Sequence, residues 1–370
     1  MTALSEPQTV SNSRSGLLWA LIVTFAVASA AMFQLVEYLV AGTDFSCVWA
    51  GSKVALQAPA HLYDFAYVTQ MQGWPLGPHK IRPYIYSPAA LFVFIPFSLA
   101  PYWVGYGLWN GLTAALQLWA GLKARAPWWL MLLPPVAFVI YCGQVTLLIG
   151  GLVLGGLALQ RTRPLAAGVL FGLAAVVKPQ MVLLVPIALA AEGRWRTLAA
   201  AGAIAASLAA ASAMIWGLGA WVEWLHALPR FKELIFGDRS LVEDAITPFA
   251  VLQNLGIKGA WALLLAPAVA VAVWITFRRT QDIADRSIAV FAGALLVSPY
   301  AMNYEAALLA PAVAMYLART GDRRWLGYAV ASVVYAVGMS AGVTSVLAAL
   351  ALPVLRTWPS PSPSPQPRNA

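Results

Sequence analysis

The chain has 370 residues, of which 61% are hydrophobic and 10% charged, with a net charge of +9. Soluble domains carry about 25% charged residues, so so few charges cannot cover a water-facing surface, and lipid is the expected solvent for much of the chain. The positive balance sits in short basic pairs between apolar runs, which argues against a nucleic-acid-binding stripe, and two cysteines are too few for a disulfide framework.

Residues 1–15 are expected as a cytoplasmic N-terminal segment. The run from Gly16 to Val36 is about 21 residues, or roughly 31 Å of helix, enough to span hydrocarbon. Ala28-Ser29-Ala30 resembles a cleavage site, but the apolar character continues to Val40, which predicts an uncleaved first span. A polar stretch at about 41–83 reads as an outer loop. Apolar runs then follow at about 85–100, 102–122, 128–142, 144–160, 164–177, 179–191 and 197–217. A second polar loop is expected at about 218–246, before runs near 248–256, 259–277, 287–299, 302–318, 325–337 and 343–355. Breaks at Gly143, Pro179, Pro299 and 338–342 predict half-helices or re-entrant elements, tolerated only where protein or a wet cavity satisfies the backbone. The predicted fold is an all-α polytopic membrane protein of about 10–13 transmembrane helices over residues 16–357. The alternating Pro and Ser of 358–370 predict a disordered tail.

Lys123 and Arg125, Arg161 and Arg163, Arg194 and Arg196, Arg278, Arg279 and Arg286, and Arg319, Arg323 and Arg324 mark most of the short connections as cytoplasmic. The loops at 41–83 and 218–246 and the break at 299–305 then face outward. Two full spans between 84 and 122 would return Lys123 to the outside, so one of them is expected to be re-entrant. The expected location is the cell inner (plasma) membrane, multi-pass.

Five constellations offer chemistry. Asp44, in Gly42-Thr43-Asp44-Phe45, puts a carboxylate at the interface just after the first span, although Thr43 or Asp44 also suits an ordinary helix cap. Arg82-Pro83-Tyr84-Ile85-Tyr86-Ser87-Pro88 brings a phosphate-binding guanidinium and two phenols, against the reading of Tyr84 and Tyr86 as an aromatic belt. Lys178 interrupts a long apolar stretch. A lysine at the bilayer centre costs about 2.5–3.5 kcal/mol on insertion scales, so it faces a cavity or partner unless it snorkels from a helix end. Gly143-Gln144 is a break with an uncharged polar side chain. Ser298-Pro299-Tyr300 leads to Asn303, Tyr304 and Glu305, the last either an intramembrane acid or a wet helix end. No GxxxxGK, HExxH, CxxC or GxSxG motif occurs, and His61 and His79 are too far apart in sequence to imply a metal site. No metal or other cofactor is expected.

Taken together, these pieces resemble glycosyltransferase family 87 of the GT-C superfamily, from about Thr43 to Ala318. The resemblance is carried by Asp44-Phe45, Trp49-Ala50-Gly51-Ser52, Leu62-Tyr63-Asp64, Tyr84-Ile85-Tyr86-Ser87-Pro88, Gly143-Gln144, Lys178-Pro179-Gln180, and Ser298-Pro299-Tyr300 with Asn303-Tyr304. It implies an outward-facing transferase using a polyprenyl-phosphate-linked sugar, and members similar to this chain include mannosyltransferases. The family's acid in the first outer loop maps onto Asp44 as catalytic base. Arg82, Lys178 and Lys80 are the expected donor-phosphate contacts. Tyr84, Tyr86, Gln144, Gln180, Tyr300, Asn303 and Glu305 are the expected substrate contacts. The partners implied are the polyprenyl-phosphate sugar donor, a lipid or glycan acceptor and membrane lipids, with no nucleic acid. Where many relatives carry a histidine or an aspartate after the Ser-Pro step, this chain has Asn303, Tyr304 and Glu305. The competing expectation is a transporter or lipid flippase, which broken helices and an intramembrane lysine also fit. Polar groups gathered beside the interface, and no internal repeat, favour the enzyme.

Overall fold

Apolar runs broken by proline and glycine become helices whose ends carry the polar groups. The computed structural model describes residues 41–73, 81–237 and 245–320. The expected first span, the runs at 325–337 and 343–355, the tail and Lys80 lie outside the described residues. Among these, regular structure is helical, with one isolated bridge between Ala245 and Met302.

The stretch expected as the first outer loop holds two helices, α1 (Thr43–Gln57) and α2 (Phe65–Met71). The correction has a simple cause: α1 buries Phe45, Val48, Ser52 and Ala55 at helical spacing. Asp64 caps α2 by accepting from the backbone N–H groups of Ala66 and Tyr67, both at 3.1 Å.

Next come α3 (Leu91–Ser98) and α4 (Tyr102–Lys123), bent 114° from each other. The segment before α3 and the bend between the two both reach α1 or its N-cap. Tyr84, ahead of α3, packs its ring on Gly51, and Tyr102, at the start of α4, donates to the Gly42 carbonyl at 2.7 Å. The sharp bend gives the pair the shape of a broken span or a re-entrant loop.

Proline opens α5 (Pro134–Cys142), α7 (Pro164–Val177) and the short α8 (Pro179–Val182), where its missing N–H costs nothing. Gly143 ends α5 in the left-handed region at φ 70°, and a Cβ there would lie 2.6 Å from that of Phe45. Between α5 and α7, α6 (Thr146–Leu159) is buried on every side from Thr146 to Leu157, with α4 and α7 as its main neighbours. After α9 (Val185–Ala191), α10 (Trp195–Gly237) runs 43 residues, broken only at Gly217 (φ 80°, ψ 159°), a conformation open essentially to glycine alone. Residues 218–237 of the second expected loop are therefore helical. Gly168 and Gly172 let α10 pack against α7, since a Cβ on either would meet a backbone carbonyl at 2.8 Å. The chain continues through α11 (Pro248–Asn254), α12 (Ala266–Arg279), α13 (Ile283–Val297) and α14 (Ala310–Thr320).

Among the described residues, α10 and the continuous helical stretch Gly259–Arg279 are long and apolar enough to cross a membrane alone. The bent α3–α4 pair passes the same test taken together, and α6, α7 and α8–α9 are shorter apolar helices. Met214 and Leu218 of α10 point outward, 81% and 73% exposed, as a lipid-facing surface requires. The chain is an all-α polytopic membrane protein.

The polar groups collect at two levels. Arg286 bonds Glu192 at 2.6 and 3.2 Å, Arg278 reaches the Ala191 carbonyl at 3.3 Å, and Arg319 pairs with Asp282. The 15-residue α13 starts at this arginine cluster and ends at Val297, just before Ser298, so roughly 22 Å of helix separates the two levels. At the far level lie the starts of α1, α4 and α6 and the ends of α7 and α13. Aromatic side chains fasten that level by donating to backbone carbonyls: Tyr106 to Ile140 at 2.8 Å, Trp109 to Gly143 at 3.0 Å, Trp216 to Ala55 at 3.1 Å and Trp224 to Ile85 at 3.0 Å.

One contact is tight enough to test alone. The wholly buried Tyr84 ring is boxed by Tyr63, Tyr86 and Phe94, and a Cβ on Gly51 would sit 2.3 Å from it. Gly51→Ala is expected to cost about 1–3 kcal/mol by overpacking, read as a lower thermal midpoint in detergent. An unchanged midpoint would mean that the ring gives way freely.

Candidate active site

The N-cap of α1 is Gly42, which makes no side-chain bond, so Asp44 is not serving as a cap. It sits in the first turn, where exposed backbone N–H groups favour a carboxylate. Its Oδ1 lies 3.7 Å from Arg82 Nη1, and the Gln144 side chain is near enough to favour its charged form. The side chain keeps 27% of its surface open, enough for a substrate to reach. Burial raises its pKa above the ordinary carboxylate value, against the opposing pull of Arg82, Gln144 and Lys178.

Arg82 reaches Asp44 from the segment that leads into α3. Its Nε is buried without a hydrogen-bond partner, while the side chain keeps 17% of its surface open beside Asp44, where its terminal nitrogens can meet an anion. The segment behind it is tightly strapped. Tyr63 donates to the Tyr86 carbonyl at 2.9 Å, and Ser87 donates to the Val176 carbonyl in the last turn of α7 at 2.7 Å. Tyr84, expected as a substrate contact, lies wholly in the core and donates to the Ser87 carbonyl at 3.2 Å. Tyr86 is half-buried and close enough to Asp44 to feel its charge.

Lys178 occupies the break that Pro179 forces between α7 and α8, with an extended backbone (φ −146°, ψ 75°). At 6% exposed, it does not snorkel. It forms an ion pair with Glu305, itself 1% exposed and thus no wet helix end, and Glu305 Oε2 accepts the Met302 N–H at 3.1 Å. This pair ties the α7–α8 break to the segment after α13. The Lys178 charge is therefore already compensated within the protein, which leaves Arg82 as the cation with more capacity for a phosphate. Tyr300 packs edge-on against Phe231 of α10 at 5.6 Å, and Gln180 and Asn303 are half-buried at the same two breaks.

The breaks at 82–88, 143–144, 178–180 and 298–305 thus meet the start of α1 around Asp44. Residues that the sequence reading passed over hold the arrangement: Ser46, Thr69 and Gln72 connect α1, α2 and Arg82. Beside the Lys178 break is a cavity of about 340 Å³, lined by Ser87, Val176, Pro179, Ala205, Trp221 and Trp224 among others, with almost wholly apolar walls. A carboxylate beside a guanidinium can take a proton from a hydroxyl while the cation holds an anion, and the apolar cavity lies along the same strapped segment.

The sequence profile of glycosyltransferase family 87 matches residues 84–299. A polyprenol-phosphate-mannose-dependent alpha-(1-2)-phosphatidylinositol pentamannoside mannosyltransferase of Mycolicibacterium smegmatis (strain ATCC 700084 / mc(2)155) is 30% identical over 250 residues, 62% of this chain and 56% of that protein. The chain therefore spans about half the length of this relative. No solved structure matches it significantly.

Proposed function

Because the chain belongs to glycosyltransferase family 87 and is a membrane glycosyltransferase, we propose that it moves a hexose or pentose, mannose first among them, from a polyprenyl-phosphate donor to a lipid-linked or glycan acceptor. The observation that carries this reading is the meeting of Asp44, Arg82, Gln144, Lys178 and Glu305 from separate chain breaks. The acceptor hydroxyl attacks the anomeric carbon and gives its proton to Asp44, help that is typically worth 10²–10⁴-fold. The bond from that carbon to the phosphate oxygen breaks, and its electron pair leaves with the polyprenyl phosphate. Arg82, with Lys178 behind it, stabilises the phosphate charge. One base and one leaving group require no covalent intermediate, so the sugar is transferred with inversion. Tyr86, Gln180, Tyr300 and Asn303 contact sugar or acceptor at the rim, and the apolar cavity receives the donor chain next to its phosphate. The mannose-dependent relative supports this choice of donor. The site lies at the level away from the arginine cluster, which by the positive-inside rule is the outer face of the inner membrane.

The test is a transfer assay with purified protein in nanodiscs, short-chain polyprenyl-phosphate sugars and lipid extract from the native membrane. Sugar is expected to appear on a lipid. A folded protein that transfers none of the donors would redirect the reading to a flippase.

A further inference from the structure

We propose that Gln72 is a positioning residue of the transfer site, the amide that keeps Arg82 in register with Asp44. Its kinetic consequences rest on the proposed function. Gln72 is 6% exposed at the end of α2. Its Nε2 donates to the Arg82 carbonyl at 2.6 Å, and its Oε1 shares the Ser46 hydroxyl proton at 2.8 Å with the Thr43 carbonyl at 2.6 Å. Ser46 is fully buried and stands two residues after Asp44 in the first turn of α1. Thr69, three residues before Gln72, accepts the Arg82 N–H on its Oγ1 at 3.0 Å while donating to the Phe65 carbonyl at 2.7 Å.

One turn of α2 therefore grips both the N–H and the C=O of Arg82, a residue ten positions beyond Gln72 in the chain. The same amide reaches the helix that carries Asp44. The base and the cation sit on different segments, and their 3.7 Å separation depends on this bridge. The guanidinium has only 17% of its surface exposed and an unpartnered Nε, so a small shift of its backbone re-aims the donors left for the phosphate. The surroundings of α1 and α2 are otherwise apolar, with Phe45 of α1 packed on Tyr102, Tyr106 and Trp109 of α4 and Val68 of α2 wholly buried, none of which the bridge supplies. Loss of the amide should thus disturb the site before it disturbs the fold.

Gln72→Leu removes both bonds, and Thr69→Val removes the second grip, while Thr69→Ser keeps it. Both disruptive variants should raise the donor KM about tenfold, equal to about 1.4 kcal/mol, with the acceptor KM unchanged and the protein still folded at the assay temperature. Thr69→Ser should restore the wild-type donor KM. The groups facing Asp44 are Arg82, Gln144, Lys178 with its partner Glu305, the phenols of Tyr86 and Tyr304, and the Cys47 thiol. Of these, Arg82 is the one held by Gln72, so the acidic limb of the pH–rate profile should move upward in Gln72→Leu. A wild type that transfers sugar, with Gln72→Leu unmoved in donor KM and acidic limb, overturns the positioning role and leaves the transferase standing. If the wild type transfers nothing, modification of Arg82 by p-hydroxyphenylglyoxal, read by peptide mass spectrometry, decides independently. Faster labelling in Gln72→Leu sustains the role of Gln72, and equal rates overturn it.

Discussion

Asp44→Asn is expected to lower transfer by about two orders of magnitude or more while leaving the thermal midpoint equal to or above that of the wild type. The two halves of this result come from one cause. Burial holds the Asp44 carboxyl above its ordinary pKa despite Arg82, Gln144 and Lys178, so the fold favours the neutral acid. Such a group contributes stability below its unfolded pKa and loses that contribution as pH rises through the folded value. At neutral pH the ionised base is therefore a cost to the fold, and a neutral isostere removes the cost along with the chemistry. Activity follows the opposite course, because only the carboxylate accepts a proton. It should fall as pH drops through the raised pKa, so the acidic limb of kcat/KM should lie above the usual carboxylate value of about 4. Near-wild-type turnover in purified Asp44→Asn would remove Asp44 from the role of base. A limb at or below the ordinary carboxylate value would contradict the environment assigned to it.

Cutting the Lys178–Glu305 pair at one end should produce the largest loss of stability. Lys178→Met or Glu305→Gln alone leaves one charge buried without its counter-ion, at a cost of roughly 3–5 kcal/mol. The double variant removes both charges, and the glutamine can still accept the Met302 N–H that Glu305 now holds. It should recover most of the loss, since replacing a whole buried pair is often close to neutral. A double-mutant cycle in detergent measures the coupling, and additive losses would mean that the two side chains do not act as a unit. Recovery of the fold should not bring back full function. The double variant lacks one of two cations near the leaving phosphate, so its donor affinity should stay below the wild type. Wild-type donor affinity would leave the pair as a structural brace between the α7–α8 break and the segment after α13.

The parts of the site legible in the sequence are those where a polar residue interrupts an apolar run. Lys178 before Pro179, Gln144 after Gly143, and Glu305 beyond Ser298-Pro299 all stand out because a membrane segment has no ordinary use for them. The structure gathers them around Asp44 and Arg82. Ser46, Thr69 and Gln72 left no such mark, because in a polar stretch a hydroxyl or amide looks merely solvated. The same composition hid α1, whose sequence mixes Ser, Lys, Gly and Gln with its apolar residues. Its signal was the spacing of Phe45, Val48, Ser52 and Ala55, a periodicity that counting apolar runs does not register. The close contact of α7 with α10 was readable from Gly168 and Gly172, four residues apart, as a small-residue face. The bend between α3 and α4 had its cue in Pro96 and Pro101.

The fastenings around the site are asymmetric in what they ask of their partners. Trp109, Trp216, Trp224, Tyr63 and Tyr106 each deliver a donor to a main-chain oxygen, and every amino acid supplies that oxygen alike. Receiving positions such as Ile85 and Ile140 can change side chain without losing these bonds, so long as the backbone stays in place. The scaffold then leans on a scattering of single aromatic residues and asks little of the side chains they hold, apart from site residues such as Tyr86 and glycines such as Gly143. Such a protein keeps its shape while its sequence shrinks to short islands of two to five recognisable residues.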